Sequence, residues 1–423
     1  MPPQRFQRPS DRGQAGLEYV GVVLLVAVVL GAVGMAANGS GIPQAVHRQV
    51  LRALCIARAG DCDEDRTWCP VATDRRRDVM AARILVFRVG QDKAIVREDR
   101  SDGTTAVTVA YGEEAGLEIG EGVHVGLSLG HGGLSLGGEL TAAAVASRER
   151  GYTWVLRDVH AVAALVGRLG VSRRTLERLI ATRRLPAPTL RYEHGGPRVE
   201  GEVSGGKVVS AAFGLSSQDV SGTRVNFATH RTTVYVQRTV EGSLSLTHAD
   251  SGATAAQTDR ERYAITYDAG GRPIDLMVMT TGTFRVSADL PNRVQPAVGL
   301  LEVPTGHGRV YVEETHLDLT DPENLRLASA FVEQVRHPDE LAFGPAVAVS
   351  AALRRRLDAQ GIVHARTYDY DERSYGIDLS VAIDGVGLGG ELSRTREDTR
   401  LVAATTRGLD GVWRRRGDCL ARA

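Results

Sequence analysis

The stretch Val123-His124-Val125-Gly126-Leu127-Ser128-Leu129 alternates apolar residues with His, Gly and Ser at a period of two. That period places the apolar set on one face of a β-strand and the small polar set on the other. Past Gly130-His131-Gly132-Gly133 the alternation resumes with Leu134, Leu136, Gly138 and Leu140, so the pair reads as a hairpin. Near the other end Ile377, Leu379, Val381 and Ile383 alternate with Asp378, Ser380, Ala382 and Asp384. Asp384-Gly385 then turns the chain into Val386 and Leu388. Asp-Gly between β-formers is a strong turn signal, and Asp102-Gly103 supplies another between Ala94-Ile95-Val96 and Val107-Thr108-Val109-Ala110-Tyr111. Further strand-like runs lie at Ile84–Phe87, Val203–Phe213, Thr232–Val240, Tyr263–Phe284 and Arg309–Leu319. The string Leu136-Gly137-Gly138-Glu139-Leu140-Thr141 nearly repeats as Leu388-Gly389-Gly390-Glu391-Leu392-Ser393, which suggests a duplicated unit.

Two helical regions interrupt these strands. Asp158 and Ser172 are placed to cap helices carrying Val159, Val162, Val166 and Leu169, then Leu176, Leu179 and Ile180. Asp321-Pro322-Glu323-Asn324 is a helix start, with Leu327, Phe331 and Val335 on one face, and a helix near 346–359 ends at Gly361, a C′ glycine. Strands with intervening helices predict an α+β fold built on antiparallel sheets.

At ~100–200 residues per domain, 423 residues allow two or three domains. Hydrophobic residues at 43% and charged residues at 24% exclude a disordered chain. Lys+Arg 51 against Asp+Glu 51 leaves no net charge to attract nucleic acid or anionic lipid in general.

Residues 19–37 form an uncharged apolar run, from Tyr19-Val20-Gly21-Val22 onward. Nineteen helical residues span ~28 Å, close to a hydrocarbon core of ~30 Å. Arg5, Arg8 and Arg12 precede it, and uncharged Asn38-Gly39-Ser40-Gly41 follows. The positive-inside rule then puts the N-terminus in the cytoplasm and the bulk of the chain outside, as a single-pass cell-membrane protein. Glu18 stands at the start of the run, where a carboxylate is costly unless paired or functional.

The string Arg12-Gly13-Gln14-Ala15-Gly16-Leu17-Glu18-Tyr19 resembles the leader of type IV pilin-like proteins of the Flp, or tight-adherence, class. The resemblance covers about residues 10–37. It implies cleavage by a prepilin peptidase after Gly13, so that Gln14 becomes the first residue and Glu18 the fifth. It also implies pilus or secretion machinery as a partner, with membrane lipid held through residues 19–37. The downstream pattern, including Leu317-Asp318-Leu319-Thr320-Asp321-Pro322-Glu323-Asn324, looks like uncharacterised secreted actinobacterial proteins.

The four cysteines are Cys55, Cys62, Cys69 and Cys419. They form no C-x-x-C pair, and no His stands at zinc spacing, which argues against a structural zinc site. An even count in an extracytoplasmic chain predicts two disulfides, at least one joining Cys419 to the Cys55–Cys69 cluster. Asp61-Cys62-Asp63-Glu64-Asp65 fails as a calcium loop, with Arg66 where glycine is needed and Ala72 in place of Glu. Gly126-Leu127-Ser128-Leu129-Gly130 and Gly133-Leu134-Ser135-Leu136-Gly137 fit G-x-S-x-G but lie inside β-alternation, with no helix behind them for a nucleophile elbow. The histidines show no H-E-x-x-H spacing. No catalytic residue, metal or cofactor is therefore expected. Leu169-Gly170-Val171-Ser172-Arg173-Arg174-Thr175-Leu176, continuing to Pro186, resembles the helix-turn-helix of excisionase-type DNA binders. Ser172, Arg173 and Arg174 would begin its recognition helix.

The expected organisation is a leader at 1–13, a transmembrane helix at 14–41, a cysteine-bearing stalk at 42–80, a β-rich region at 81–300 with the helix pair 158–184, and an α+β region at 301–423 ending in a hairpin. The expected function is a non-enzymatic envelope protein, membrane-anchored and acting in assembly or surface interaction. A secreted effector with a membrane-inserting β-hairpin and a DNA-binding regulator are the alternatives. Nucleic acid is not favoured, because the topology puts residues 169–186 outside the membrane.

Overall fold

Period-two alternation closed by turn residues produces long antiparallel strands. The computed structural model describes residues 68–84, 87–119, 124–128, 135–205, 209–248, 251–289, 301–336, 350–383 and 386–420. The leader, residues 14–41, Gly13, Gln14, Glu18, Cys55 and Cys62 lie outside the described residues. By contacts the chain divides into Met1–Thr67 and Trp68–Ala423, and only the second unit is described below.

Its first half runs β1 (Pro70–Ile84), β2 (Phe87–Arg100), β3 (Thr105–Ile119), β4 (His124–Ser128), β5 (Ser135–Leu156), α1 (Val159–Val166), α2 (Arg173–Ala181), β6 (Leu190–Gly205) and β7 (Val209–Asn226). Then follow β8 (Arg231–His248), β9 (Ser251–Tyr267), β10 (Pro273–Asp289), β11 (Leu301–Asp318), α3 (Pro322–Arg336), α4 (Ala351–Gln360), β12 (Ile362–Ile383), β13 (Val386–Arg407), β14 (Trp413–Arg415) and α5 (Gly417–Leu420).

Consecutive strands pair in order from β1 to β13, with β4 set aside as a partner of β5 alone and β14 as a partner of β13 alone. The last long strand then returns to the first, from Ala72 opposite Arg400 to Ile84 opposite Leu388. Twelve strands close into an antiparallel barrel with no free edge in the ring. The direct partners of Met80 lead through Gln91, Glu113, Arg148, Gly195, Ser221, Val236, Tyr263, Val278, Thr315 and Val363 to Arg407. On its other side Met80 pairs with Leu392. The circuit thus returns fifteen residues along β13, one of them the extra Val402 of a bulge, for a stagger of fourteen. At ~3.3 Å per residue and ~4.8 Å between strands this tilts the strands by roughly 39° and sets opposite backbones about 24 Å apart.

The expected α+β fold is therefore corrected to a closed β-barrel. Strand and hairpin positions follow from local alternation, but the β1–β13 pairing joins segments some 320 residues apart and leaves no local mark. Ile84–Phe87, expected as one strand, instead contains the end of β1 and the start of β2. Among the described residues no helix is long and apolar enough to cross a membrane.

Two of the expected caps form, at Asp158 and Asp321, while the Ser172 hydroxyl meets the Thr175 hydroxyl at 3.0 Å and caps no amide. Asp158 accepts from the His160 and Ala161 amides at 3.0 and 3.2 Å, and Asp321 from Glu323 and Asn324 at 2.9 and 3.2 Å. Gly361 has φ −72°, so it is not the left-handed cap expected. Its value is space, because a Cβ there would meet the Leu357 carbonyl at 2.4 Å. Helices α1 and α2 bury Val162, Leu165 and Leu176 against Val107, Val109, Tyr152 and Trp154. Helices α3 and α4 bury Phe331, Val335 and Leu353 against Ile265, Leu276 and Leu317. A third cluster holds Val71, Tyr368, Leu401 and the disulfide Cys69–Cys419, whose Cα atoms are 5.6 Å apart.

Candidate functional site: lumen and belt

Directly opposed residues share a face, so the pairing assigns every described strand position to one of two sides. The helix-packed set, with Val109 opposite Tyr152 and Leu276 opposite both Ile265 and Leu317, is one side. The intervening residues are the other. Arg75 on β1 faces the charges of Glu149 on β5 and Arg260 on β9, strands well apart in the ring. Charges that far apart in the circuit meet only through the interior. The intervening set therefore lines the lumen; α1–α4 lie outside, while α5 packs inside on the lumen-facing Tyr368 and Leu401.

Away from the apolar cluster around the Cys69–Cys419 disulfide, the lumen is polar and mostly paired. Arg77 meets Asp92 at 2.6 Å and Arg75 meets Glu397 at 3.4 Å. Arg285 bridges Glu241 and Glu372 at 2.7 and 2.8 Å, and Arg366 pairs with Glu314. Tyr192 donates its hydroxyl to Glu149 at 2.6 Å, and His194 shares a hydrogen bond of 2.8 Å with the Tyr235 hydroxyl. Charges removed from bulk water persist when paired and hydrogen-bonded in this way.

The outer face changes character along the barrel axis. In the half bearing the helices it is apolar and covered. In the half bearing the β1–β2, β6–β7, β8–β9 and β12–β13 turns it is apolar and bare. Met80 lies opposite Leu392 and Phe213 opposite Leu244, and these four are 47–59% exposed. Val89, Val199, Leu215, Phe284 and Val286 extend the set at 45–57%. Corrected for the drift that tilt imposes, at just over one residue per strand, Met80, Val89, Val199, Phe213, Leu244 and Leu392 fall at roughly one height. They form a belt around the barrel. Between them along the strands stand polar residues such as Ser243, Ser245 and Thr254, the last two joined at 3.0 Å. Below the belt comes a charged collar, with Arg394–Asp78 at 2.6 Å and Arg396–Asp74 at 3.0 Å.

Of the expected site residues, Cys69 and Cys419 are bonded to each other. The helix-turn-helix look-alike is α1–α2, with Leu169, Leu176 and Leu185 buried on the barrel wall and Arg173 beside Glu113 at 3.3 Å. Both G-x-S-x-G strings contain residues outside those described. Among the described residues no cluster of His, Cys, Asp and Glu is arranged to hold a metal. Sequence reading missed the lumen, because its residues come from twelve strands and no two neighbours in it are neighbours in the chain.

No family model matches this chain, and no curated protein does. Several solved structures are similar to it over most of its length. The beta domain of the Bordetella autotransporter BrkA is 9% identical, covering 78% of this chain and 99% of that one at a TM-score of 0.24. The translocator domain of the autotransporter NalP from Neisseria meningitidis is 8% identical, covering 84% and 98% at 0.26. A Pseudomonas aeruginosa FadL homologue is 8% identical, covering 78% and 88% at 0.22. The barrel assignment rests on the β1–β13 pairing itself.

The closed ring of strands corrects the pilin-like reading and the single-pass localisation drawn from it. A motif of fewer than thirty residues carries no information about how the following 350 fold, and those close into a barrel. The expected anchored, helix-tethered envelope protein gives way to a barrel with its own apolar belt.

Proposed function

We propose that this chain is a membrane-embedded β-barrel that sinks its bare half into a bilayer, keeps its helix-covered half in water, and conducts polar solutes through its lumen. The observation that carries the reading is the belt. Its outward residues are large and apolar while their strand neighbours are polar, the pattern of a barrel with lipid outside and water inside. Strand length supports it. A bilayer-spanning strand needs ~9–11 residues, and the ring strands have 14–22. The remainder suffices for a water-exposed half where helices replace lipid as the cover. A contiguous bare apolar belt on a water-surrounded barrel would be an association hazard. The reading assigns the chain no catalysis.

Purified full-length protein, refolded into phosphatidylcholine vesicles, tests it. Flotation with the lipid and stepwise conductance in a planar bilayer are expected, and the double substitution Met80→Glu/Leu392→Glu should abolish flotation. Wild type that stays in the aqueous fraction as a folded monomer would overturn the proposal.

A further inference from the structure

Three described lumen arginines, Arg224, Arg260 and Arg262, have no acid within salt-bridge distance. Arg260, on β9, makes no ion pair with any described carboxylate, and its Nε is buried without a hydrogen-bond partner. Its immediate charged neighbours are Arg262, two residues along the same strand, and Arg75 from across the ring, ahead of Glu397 and Glu149. Arg262 donates to the side-chain oxygen of Gln237 at 2.9 Å and lies 5.0 Å above the ring of Tyr235, again with no carboxylate partner. Arg75 already shares Glu397, and Glu149 already accepts from Tyr192. Elsewhere in the lumen, the arginines Arg77, Arg285 and Arg366 each have an acid within salt-bridge distance. At the Arg260 level positive charge is left over.

We propose that Arg260 and Arg262, backed by Arg75, form an oxyanion-binding constriction in the lumen, taking a phosphate or carboxylate group. This inference rests on the channel reading and names the class of solute that the channel favours. Guanidinium groups present forked donors that match an oxyanion's geometry. A preorganised pair with unspent donors binds a small anion without rearranging the wall. Because the belt lies nearer the turns than Arg260 does, the constriction stands in the water-exposed half, next to the bilayer rather than within it.

Two measurements on the full chain separate the site from the channel. Calorimetric titration of detergent-folded protein with inorganic phosphate should show a single site. Arg260→Gln and Arg262→Gln should each weaken it at least tenfold, while Arg238→Gln, on the outer face, should leave it unchanged. Arg260→Lys, which keeps the charge, should retain part of the affinity if the folded barrel survives. In a planar bilayer under a potassium chloride gradient, the reversal potential should show anion preference that Arg260→Gln removes. Wild type that binds no phosphate, or Arg260→Gln that binds as well as wild type, would overturn the site. Phosphate binding without conductance would refute the channel and leave the site standing. Conductance without anion preference or phosphate binding would do the reverse.

Discussion

The two halves of the barrel solve the same problem differently. Both carry a row of apolar residues on the outside of the sheet. Around Leu276 and Leu317 the row is covered by α3 and α4 and is fully buried. Around Phe213 and Leu244 nothing among the described residues covers it. Burial of apolar area stabilises by ~25 cal/mol per Å² whatever supplies the cover. One end of this barrel thus carries its own cover, and on the membrane reading proposed above lipid covers the other.

Substitutions in each half test this contrast, and the largest effect concerns closure at the covered end. Reducing or replacing Cys69–Cys419 opens a loop of 350 residues. The chain-entropy estimate for such a loop is roughly 5–6 kcal/mol. Denaturant titration of Cys69→Ser/Cys419→Ser against wild type should show a loss of that order, and an unchanged midpoint would show that the barrel closes without the bridge. Next comes Leu317→Ala, which empties a buried position beneath α3. It should cost about 2–5 kcal/mol, read as a lower denaturant midpoint in detergent.

Acid should weaken the covered half through a buried histidine. His364 lies under β13 beside Thr406, in the water-exposed half, and its ring is held neutral by burial, with His316 and Arg416 adding repulsion, so that its pKa falls to about 4. The sign follows directly. Above the unfolded value of ~6.5 both states are neutral and pH has no effect through this group. Between ~6.5 and about 4 the unfolded chain binds the proton first, so stability falls by up to roughly 3 kcal/mol and levels off below. His364→Gln should flatten that part of the stability profile measured from pH 7 to 4.

Phe213→Arg should distinguish lipid from water at the bare belt. A guanidinium there should cost about 1–3 kcal/mol in vesicles, less than at the bilayer midplane. It should change stability by less than ~0.5 kcal/mol if that face is aqueous. The smallest effect is expected at α2. Arg173→Gln/Arg174→Gln removes a surface pair with Glu113 and should shift stability by no more than ~0.5 kcal/mol.

Much of the local structure was legible. Asp102-Gly103 forms the β2–β3 turn with Gly103 at φ 80°, and Asp158 and Asp321 cap the helices they were expected to cap. The alternation at Ile377–Ile383 lies on a strand paired through Ile383 opposite Val386. What could not be read was which face of each strand looked outward, since Ser and Gly suit a lumen as well as a solvent face. The apolar Tyr19–Ala37 run points to a helical anchor because nineteen contiguous apolar residues announce themselves, whereas a belt built from one or two residues per strand does not.

Local sequence was enough to set most strands, their turns and their two-faced chemistry, because each depends on residues within a few positions of one another. Closure, stagger, the inside and the outside of the barrel, and the meeting of Arg75 with Arg260 were decided only by the tertiary structure. Their physical reason is the same in each case. A ring's curvature and contents depend on pairing its first strand with its last, and that contact belongs to no local stretch of chain.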